Sequence, residues 1–494
     1  MSLRAYEQLV QRLHRLSALG ESAALLQWDQ ETYMPRGGTE ARVLQLSTLS
    51  ALAHETFTAP ETGRLLAQAE KEEGDEKHRA LLREVRFSFD RATKVSTDLV
   101  ERMSRATSRA LPIWTEARAK SDFQAFRPIL EEIVDLKRQY AAAIDPGAAP
   151  YEVLFRDYEP WIGLAETRRN LAELREGLKP LIRRAASAPK APDAFAGRWP
   201  ADKQQQFSLA VLRELGYDFD RGRLDVSAHP FSTGNVYDTR ITTRYNEEDP
   251  LGALLGTIHE FGHSLYTQGL PREDFGTPLG DARDMAVHES QSRLWENHVG
   301  RSRAFWERWL APMQEAFPGN LKGVTPEDAW RAANVVQPSL VRVEADELTY
   351  HMHIALRFEV EEAIVSGAAQ VREIPRLWND RMESYLGVRP PNDKLGCLQD
   401  IHWAHGSFGY FPTYSLGSML SAQLFAAFEK EQGPAAPAIR EGRYAPLRDW
   451  LRERVHRHGK RYRTGELVER ATGKPLSPAD FLGYANAKFG ALWA

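Results

Sequence analysis

The segment from Asp249 to Pro271 constrains the fold most, because both ends of a helix are encoded there. Asp249 followed by Pro250 is a favourable helix start, since the acid caps free backbone N–H groups and proline is tolerated in the first turn. Gly269 and Pro271 end the helical pattern. The sequence therefore predicts a helix over residues 251–268.

That helix carries the pattern His-Glu-x-x-His, as His259, Glu260 and His263. Residues four apart project from the same helix face, so both imidazoles can reach one zinc ion at about 2.0–2.1 Å. Glu260 lies beside them and can accept a proton from a water molecule on the metal. The pattern predicts a zinc site with Glu260 as general base, and cobalt or other divalent ions also suit such donors.

A third protein ligand is expected on a separate helix, which residues 281–284 open. That helix leads to His288 and Glu289, and the separation from His263 suits a turn followed by a second helix lying against the first. Glu289 is the better candidate, because two histidines and a carboxylate leave one coordination position open for water. His288 is the competing ligand, since adjacent helical residues point in different directions and cannot both be expected to bind.

Helical signals dominate the rest of the chain. Apolar spacing, charge patterning and turn residues predict helices over residues 3–33, 39–54, 76–144 (as two long helices) and 164–187. The first two form a helical hairpin within residues 1–75, which we assign as a lid. Helices are expected again from residue 250 to the end of the chain.

β-branched and aromatic residues are concentrated within residues 224–246, where turn residues 232–235 interrupt them. They predict one or two short hairpins beside the metal helix, where a substrate backbone can add as a further strand. No convincing domain linker is found. We therefore expect one mainly α domain over residues 1–494, with metal-binding helices at 250–300 and carboxylate-binding and oxyanion elements at 338–420.

Charge and composition exclude several classes of function. The net charge is −4, with acids and bases interspersed, so neither nucleic acid nor a membrane surface is an expected partner. Charges interrupt the N-terminus too early for a signal peptide, and no apolar run approaches the roughly 20 residues that span a bilayer. The single cysteine, Cys397, excludes an internal disulfide. These features predict a cytoplasmic protein.

Several short motifs occur in order along the chain. They are Trp-Asp-Gln-Glu-Thr-Tyr-Met-Pro at 28–35, His-Pro-Phe at 229–231, Asp-Thr-Arg-Ile-Thr at 238–242, the metal helix, His-Glu-Ser at 288–290, Val-Arg-Val-Glu-Ala-Asp at 341–346 and Gly-Cys-Leu-Gln-Asp-Ile-His-Trp at 396–403. With these motifs the chain resembles the carboxypeptidase Taq family of zinc metallocarboxypeptidases, of the thermostable carboxypeptidase type.

The resemblance implies removal of single C-terminal residues from peptides with a free C-terminus, with broad side-chain tolerance, by Glu-assisted attack of zinc-bound water. It implies a mainly α, two-lobed fold with a deep cleft and a small β-hairpin region beside the metal. Such a fold is similar to those of the angiotensin-converting and thimet-type peptidases. A homodimer is also implied.

Oxyanion charge that develops in the reaction needs hydrogen-bond donors besides the metal. The spacing of His405, Tyr410 and Tyr414 is similar to a His/Tyr cluster in thimet-type oligopeptidases. By that similarity, Tyr410 and Tyr414 are transition-state donors with His405 nearby, and His402 is assigned to the substrate site. A buried aromatic stripe is the alternative interpretation.

An exopeptidase must also recognise a free carboxylate, which the bidentate fork of arginine does best. Arg240 and Arg342 are the candidates, and the motifs around them add His229 and Asp238 to the expected substrate-binding residues. Arg342 and Asp346 are predicted to lie one turn apart on a helix, where a simple ion pair is the alternative role.

Two other functions compete with the carboxypeptidase hypothesis. An endo-acting oligopeptidase shares the zinc chemistry but does not need to bind a terminal carboxylate. A helical interaction scaffold that has lost catalysis is the alternative from another class. The complete ligand set and the presence of Glu260 argue against the scaffold.

Overall fold

Helices form most of the chain before the sheet. The structure is a computed structural model that describes residues 4–494. Its first helices are α1 (Ala5–Thr32), α2 (Thr39–Thr58), α3 (Pro60–Ala69), α4 (Glu76–Lys94), α5 (Thr97–Lys120), α6 (Phe123–Ile144), α7 (Pro150–Phe155), α8 (Leu164–Ala185) and α9 (Ala201–Leu215). The two predicted N-terminal helices therefore form, apart from residue 3, which lies outside the described residues.

The prediction of two long helices over residues 76–144 is wrong in number, because three form there. Ser96 starts a new helix by accepting a hydrogen bond from the Leu99 N–H. Ser121 then adopts a left-handed conformation with φ of 57°, which ends α5, and Asp122 caps α6. Charged amphipathic residues continue across both breaks, so the hydrophobic pattern alone hides these turns.

A small sheet lies between α9 and the later helices in the order of the chain. Its strands are β1 (Gly222–Val226), β2 (Ser232–Gly234) and β3 (Thr239–Thr243), in the order β1-β3-β2. β2 and β3 form an antiparallel hairpin, as predicted, whereas β1 pairs with β3 in parallel. A second hairpin is absent among the described strands, because the chain after β1 passes Pro230, which has no ladder donor, and returns on the far side of β3.

Helices resume after the sheet. They are α10 (Pro250–Gly269), α11 (Met285–Arg293), which continues into π-helical turns (Leu294–Gly300), α12 (Arg303–Ala316), α13 (Pro326–Ala332), α14 (Tyr350–Ser366), α15 (Ile374–Leu386), α16 (Pro412–Gln432), α17 (Ala436–Arg440), α18 (Ala445–Arg454), α19 (Thr464–Thr472) and α20 (Ala479–Leu492). Single 3₁₀ turns lie at Arg36–Gly38, Arg272–Asp274, Pro278–Gly280, Arg342–Glu344, Val371–Glu373 and His456–His458.

The helix predicted to carry both Arg342 and Asp346 does not form. Arg342 lies in a single 3₁₀ turn, and α14 begins only at Tyr350. Asp346 instead accepts hydrogen bonds from the backbone N–H groups of Leu348 and Thr349, which is a turn-forming role. The aspartate competes with the helix for these donors, and the i, i+4 ion pair that was the alternative role for Arg342 does not form.

Close helix packing positions α10, α11 and α16 against one another. The predicted capping of α10 is present, since the Asp249 carboxylate accepts from the Gly252 N–H at 2.8 Å. An ideal Cβ placed on Gly262 would lie 2.5 Å from the Gln291 carbonyl oxygen, and one on Gly417 would lie 2.6 Å from Glu289 Cβ. Both glycines therefore permit contacts that any side chain would prevent. Within residues 4–494, no helix has the length and apolar character needed to cross a membrane.

Candidate metal centre

His259 and His263 on α10 and Glu289 on α11 form a compact group of donor atoms. Their donor atoms all lie within 4.8 Å of one another. Glu289 Oε2 is 3.6 Å from His259 Nε2 and 3.4 Å from His263 Nε2. Ligands at 2.0–2.1 Å from a tetrahedral ion are separated by about 3.3 Å. The donor set therefore fits a zinc-sized ion.

The structure distinguishes Glu289 from its neighbour His288. His288 Nδ1 lies 2.5 Å from His263 Nδ1, so His288 is on the opposite side of that imidazole from Glu289. Burial and the nearby His263 lower the pKa of His288 to about 3. His288 is thus a neutral partner of His263, and the geometry favours Glu289 as the third ligand.

A carboxylate that the sequence analysis missed lies behind the first histidine. Glu296 Oε2 is 2.9 Å from His259 Nδ1, the ring nitrogen that faces away from Glu289. Arg293 joins the two acids, since it contacts Glu289 Oε1 at 2.7 Å and Glu296 Oε2 at 3.2 Å. Such partners fix the orientation and tautomer of a metal-binding histidine. Their i, i+4, i+7 spacing is a sequence signal that could have revealed them.

Glu260 is buried beside the two histidines. It is 8% exposed. Burial raises the pKa of its carboxyl, while the neighbouring imidazoles of His263 and His259 oppose that rise. A carboxylate with a raised pKa is a stronger proton acceptor, which suits a general base.

Tyr410 and Tyr414 lie together, with ring centroids 5.3 Å apart. The Tyr410 ring also packs against the His402 ring, with centroids 5.4 Å apart. His405 is exposed on the same loop. Tyr350 was not among the predicted site residues, and its ring centroid lies 5.9 Å from that of Tyr414. The structure therefore groups His402, rather than His405, with the two tyrosines.

Arg342 belongs to a buried ionic cluster next to these tyrosines. Its Nε donates to Asp400 Oδ1 at 3.0 Å, and its Nη1 donates to the Tyr350 hydroxyl at 3.0 Å. The other Asp400 oxygen pairs with Arg357. The Arg342 guanidinium is 5.2 Å from the centre of the Tyr414 ring. Asp400, and not Asp346, is thus the ionic partner of Arg342.

Tyr350 connects the cluster to the metal ligands. The Arg293 guanidinium lies 4.9 Å from the centre of its ring, and Arg293 pairs with Glu289. A continuous line of contacts therefore runs from Glu289 through Arg293 and Tyr350 to Arg342. No local sequence pattern indicated this role for Tyr350, because its partners come from three separate segments.

Arg240 has different surroundings, at the sheet and the N-terminal helix. Its guanidinium pairs with Asp238 at 2.7 Å and lies 4.1 Å from the centre of the Trp28 ring. His229 is exposed between β1 and β2, where its carbonyl accepts from the Ser227 hydroxyl. The described contacts of Arg240 thus tie β3 to α1, in a group separate from the Arg342 cluster.

Comparisons with known proteins match nearly the whole chain to one metallopeptidase family. The family model for carboxypeptidase Taq (M32) metallopeptidase matches residues 8–489. Thermostable carboxypeptidase 1 of Thermus thermophilus is 41% identical over 508 residues, with 99% of each chain covered. Carboxypeptidase 1 of Bacillus subtilis is 36% identical over 499 residues, with 100% of each chain covered.

Solved structures of carboxypeptidases have the same fold as this chain. An M32 carboxypeptidase from Deinococcus radiodurans R1 matches with a TM-score of 0.96 at 39% identity, over 99% of each chain. Metallocarboxypeptidase 1 of Trypanosoma cruzi matches with a TM-score of 0.95 at 36% identity, over 98% of this chain and 99% of that one. The predicted mainly α fold class is confirmed. The chain belongs to the carboxypeptidase Taq metallopeptidase family and is a metal-dependent peptide hydrolase of the carboxypeptidase type.

Proposed function

We propose that the chain is a zinc carboxypeptidase in which His259, His263 and Glu289 hold the ion and Glu260 is the general base. The observation that carries this proposal is the spacing of the three donors, with both Glu289 contacts close to the edge length of a tetrahedral zinc site. Three protein ligands leave a position for water or substrate. The same donors also accept cobalt.

Each residue around the site has a separate role in the proposed hydrolysis. His259, His263 and Glu289 would hold the ion, which when bound would supply Lewis acidity to polarise the scissile carbonyl and to make a water molecule more acidic. Glu260 takes a proton from the attacking water and delivers it to the leaving amine nitrogen. Tyr410 and Tyr414 donate hydrogen bonds from their hydroxyl groups to the oxygen that gains negative charge. His402, and less directly the exposed His405, are proposed to support these donors.

Charge in the Arg342 cluster supports recognition of a free C-terminus. Two arginines, Arg342 and Arg357, share the single carboxylate of Asp400. This buried cluster therefore has one positive charge that Asp400 does not neutralise. Burial lowers the pKa of His353 to about 3 and that of His402 to about 4, so neither imidazole changes this balance at neutral pH. The terminal carboxylate of a peptide would neutralise the remaining charge.

Arg240 is a second proposed contact to substrate, with Asp238 and His229 beside it. Its support is weaker, because the Asp238 carboxylate already neutralises its charge. Arg342→Ala should therefore raise the KM for a tripeptide more than Arg240→Ala does, with the zinc content of both variants unchanged. If Arg240→Ala raised KM as much as Arg342→Ala or more, the residue that binds the terminal carboxylate would be Arg240 on β3.

A pair of matched peptides tests the carboxypeptidase assignment. One has a free C-terminus and the other is identical but C-terminally amidated, and mass spectrometry follows their products with and without a chelator. We expect single-residue losses from the free peptide only, and no loss in the presence of chelator. Equal cleavage of both peptides would favour an endo-acting oligopeptidase.

Glu260→Gln separates catalysis from metal binding. The substitution keeps the shape of the side chain but removes the proton acceptor, so kcat should fall by about 10²–10⁴-fold. Zinc bound per chain, measured by atomic absorption after dialysis, should stay the same. Undiminished turnover would exclude Glu260 as the base.

Three further properties stay predictions: two rest on the family resemblance, and the third, the location, rests on charge and composition. They are broad tolerance for the C-terminal side chain, a cytoplasmic location and a homodimer. Light scattering after size-exclusion chromatography measures the oligomeric state directly. A peptide series that varies only the last residue measures the tolerance.

A further inference from the structure

One fully buried acid has no part in the mechanism described above. Glu361 on α14 is 0% exposed. Its carboxylate accepts three hydrogen bonds, from the Tyr151 hydroxyl at 2.9 Å, Trp403 Nε1 at 2.8 Å and the Gly409 N–H at 3.1 Å. All three donors are neutral, so hydrogen bonds rather than an ion pair stabilise this buried acid.

Two of the three donors belong to the loop over residues 401–411, which carries the proposed oxyanion residues. Trp403 directly follows His402, and Gly409 directly precedes Tyr410. One carboxylate therefore holds the loop at both ends of its central turn. The third donor, Tyr151, lies on α7 and ties the same acid to the helical core.

The backbone at Gly409 packs directly against the end of α7. Its φ is +89°, a left-handed value that favours glycine, and an ideal Cβ there would lie 2.7 Å from the Phe155 backbone nitrogen. Tyr410 then packs edge-on against Tyr158 at 5.0 Å and Tyr414 at 5.3 Å. A small shift of residue 409 would thus be passed directly to the Tyr410 ring.

We propose that Glu361 is a positioning residue, which fixes the 401–411 loop so that the Tyr410 hydroxyl is aimed at the developing oxyanion. The inference rests on the proposed function, in which Tyr410 is a donor. The chemistry of the carboxylate is essential to it. A glutamine at this position would direct an amide N–H2 at one of the three donors, and that donor would lose its partner.

Glu361→Gln tests the proposal, with Glu362→Gln as the matched control. Glu362 is the next residue on α14 and pairs with Arg168 away from the loop. We expect Glu361→Gln to lower kcat by about 10–100-fold, the effect of misplacing a catalytic group by about 1 Å, with little change in KM or zinc content. The control should keep the wild-type kcat. Equal kcat in both variants would refute the proposal.

A double-mutant cycle shows whether Glu361 acts through Tyr410. If it does, Glu361→Gln should slow the Tyr410→Phe variant by less than about 2-fold, because the group to be positioned is already lost. Multiplicative losses would mean that Glu361 has only a general structural effect, and would overturn the inference while leaving Tyr410 as donor. If Tyr410→Phe alone keeps the wild-type kcat, the donor assignment in the proposed function fails first, and the inference fails with it.

Trp403→Phe gives the same test without changing the buried acid, in case Glu361→Gln does not fold. It removes one loop donor to Glu361 and keeps an aromatic ring in place. We expect a smaller fall in kcat, about 3–10-fold, that disappears in the Tyr410→Phe background. A fall that persists in that background would contradict the positioning role.

Discussion

Gly262 sets the distance between the two helices that carry the metal ligands, and a single methyl group should disturb the site. An ideal Cβ at this position lies 2.5 Å from the Gln291 carbonyl oxygen and 2.6 Å from Ser292 Cα. Ordinary contact begins at 3.4 Å. The obstructing atoms are backbone, so a side-chain rotation cannot relieve the overlap, and α11 must move by about 0.8–0.9 Å relative to α10.

The displacement has two expected consequences for Gly262→Ala. Overpacking of a tight interface destabilises a protein by about 1–3 kcal/mol. Because Glu289 is on the helix that moves and His263 is adjacent to the substitution, the donor set opens as well. A shift of about 1 Å at a catalytic site lowers the rate by about 100-fold, and we expect kcat/KM on a tripeptide to fall by that factor.

Gly256→Ala is the matched control on the same helix. An ideal Cβ there meets no heavy atom within 4 Å. Alanine in a helix interior should stabilise the protein by about 0.5–1 kcal/mol relative to glycine, with zinc affinity and kcat/KM unchanged. Denaturant unfolding, a competitive zinc titration and peptide hydrolysis measure the three quantities. If Gly262→Ala matches Gly256→Ala in all three assays, close helix approach does not hold the site together.

Four further substitutions test other parts of the site. Glu296→Gln removes the negative acceptor at His259, and zinc affinity measured against a chromophoric chelator should fall by about 10–100-fold; an unchanged dissociation constant would show that the contact is incidental. Glu289→Ala should abolish stoichiometric zinc after dialysis while His288→Ala retains it, and the opposite result would make His288 the third ligand. Asp400→Asn leaves two buried arginines without a counter-charge, so denaturant unfolding should show a loss of about 3–5 kcal/mol. A loss below about 1 kcal/mol would argue against a buried ionic cluster.

The sequence predicted α10 and the placement of its two histidines on one face well, because every signal involved is local. The cap at Asp249, the spacing of His259 and His263, and the stop after Gly269 all lie within one helix. Helical periodicity then fixes which side chains share a face. Glu289 was also predicted, although its distance from the histidines depends on the packing of a second helix.

Features that depend on distant contacts were predicted poorly. The i, i+4 rule offered Asp346 as the partner of Arg342, but the actual partner, Asp400, is 58 positions away. The parallel pairing of β1 with β3 likewise depends on where the chain crosses the sheet, which residues 224–246 do not encode locally. Propensity describes each segment separately, whereas these pairings are decided by tertiary structure.

Glu296 lies between these two cases. Its position on the same helix face as Glu289 and Arg293 could be predicted from the spacing, because residues four and seven apart return to one face. What the sequence could not provide was the partner on that face, since His259 is on another helix, 37 positions earlier. That partner comes within hydrogen-bond distance only where α10 and α11 approach closely, which is the contact that Gly262 permits. Zinc affinity should therefore decrease in both Glu296→Gln and Gly262→Ala, and the two losses should not be additive if the glycine acts by holding Glu296 against His259.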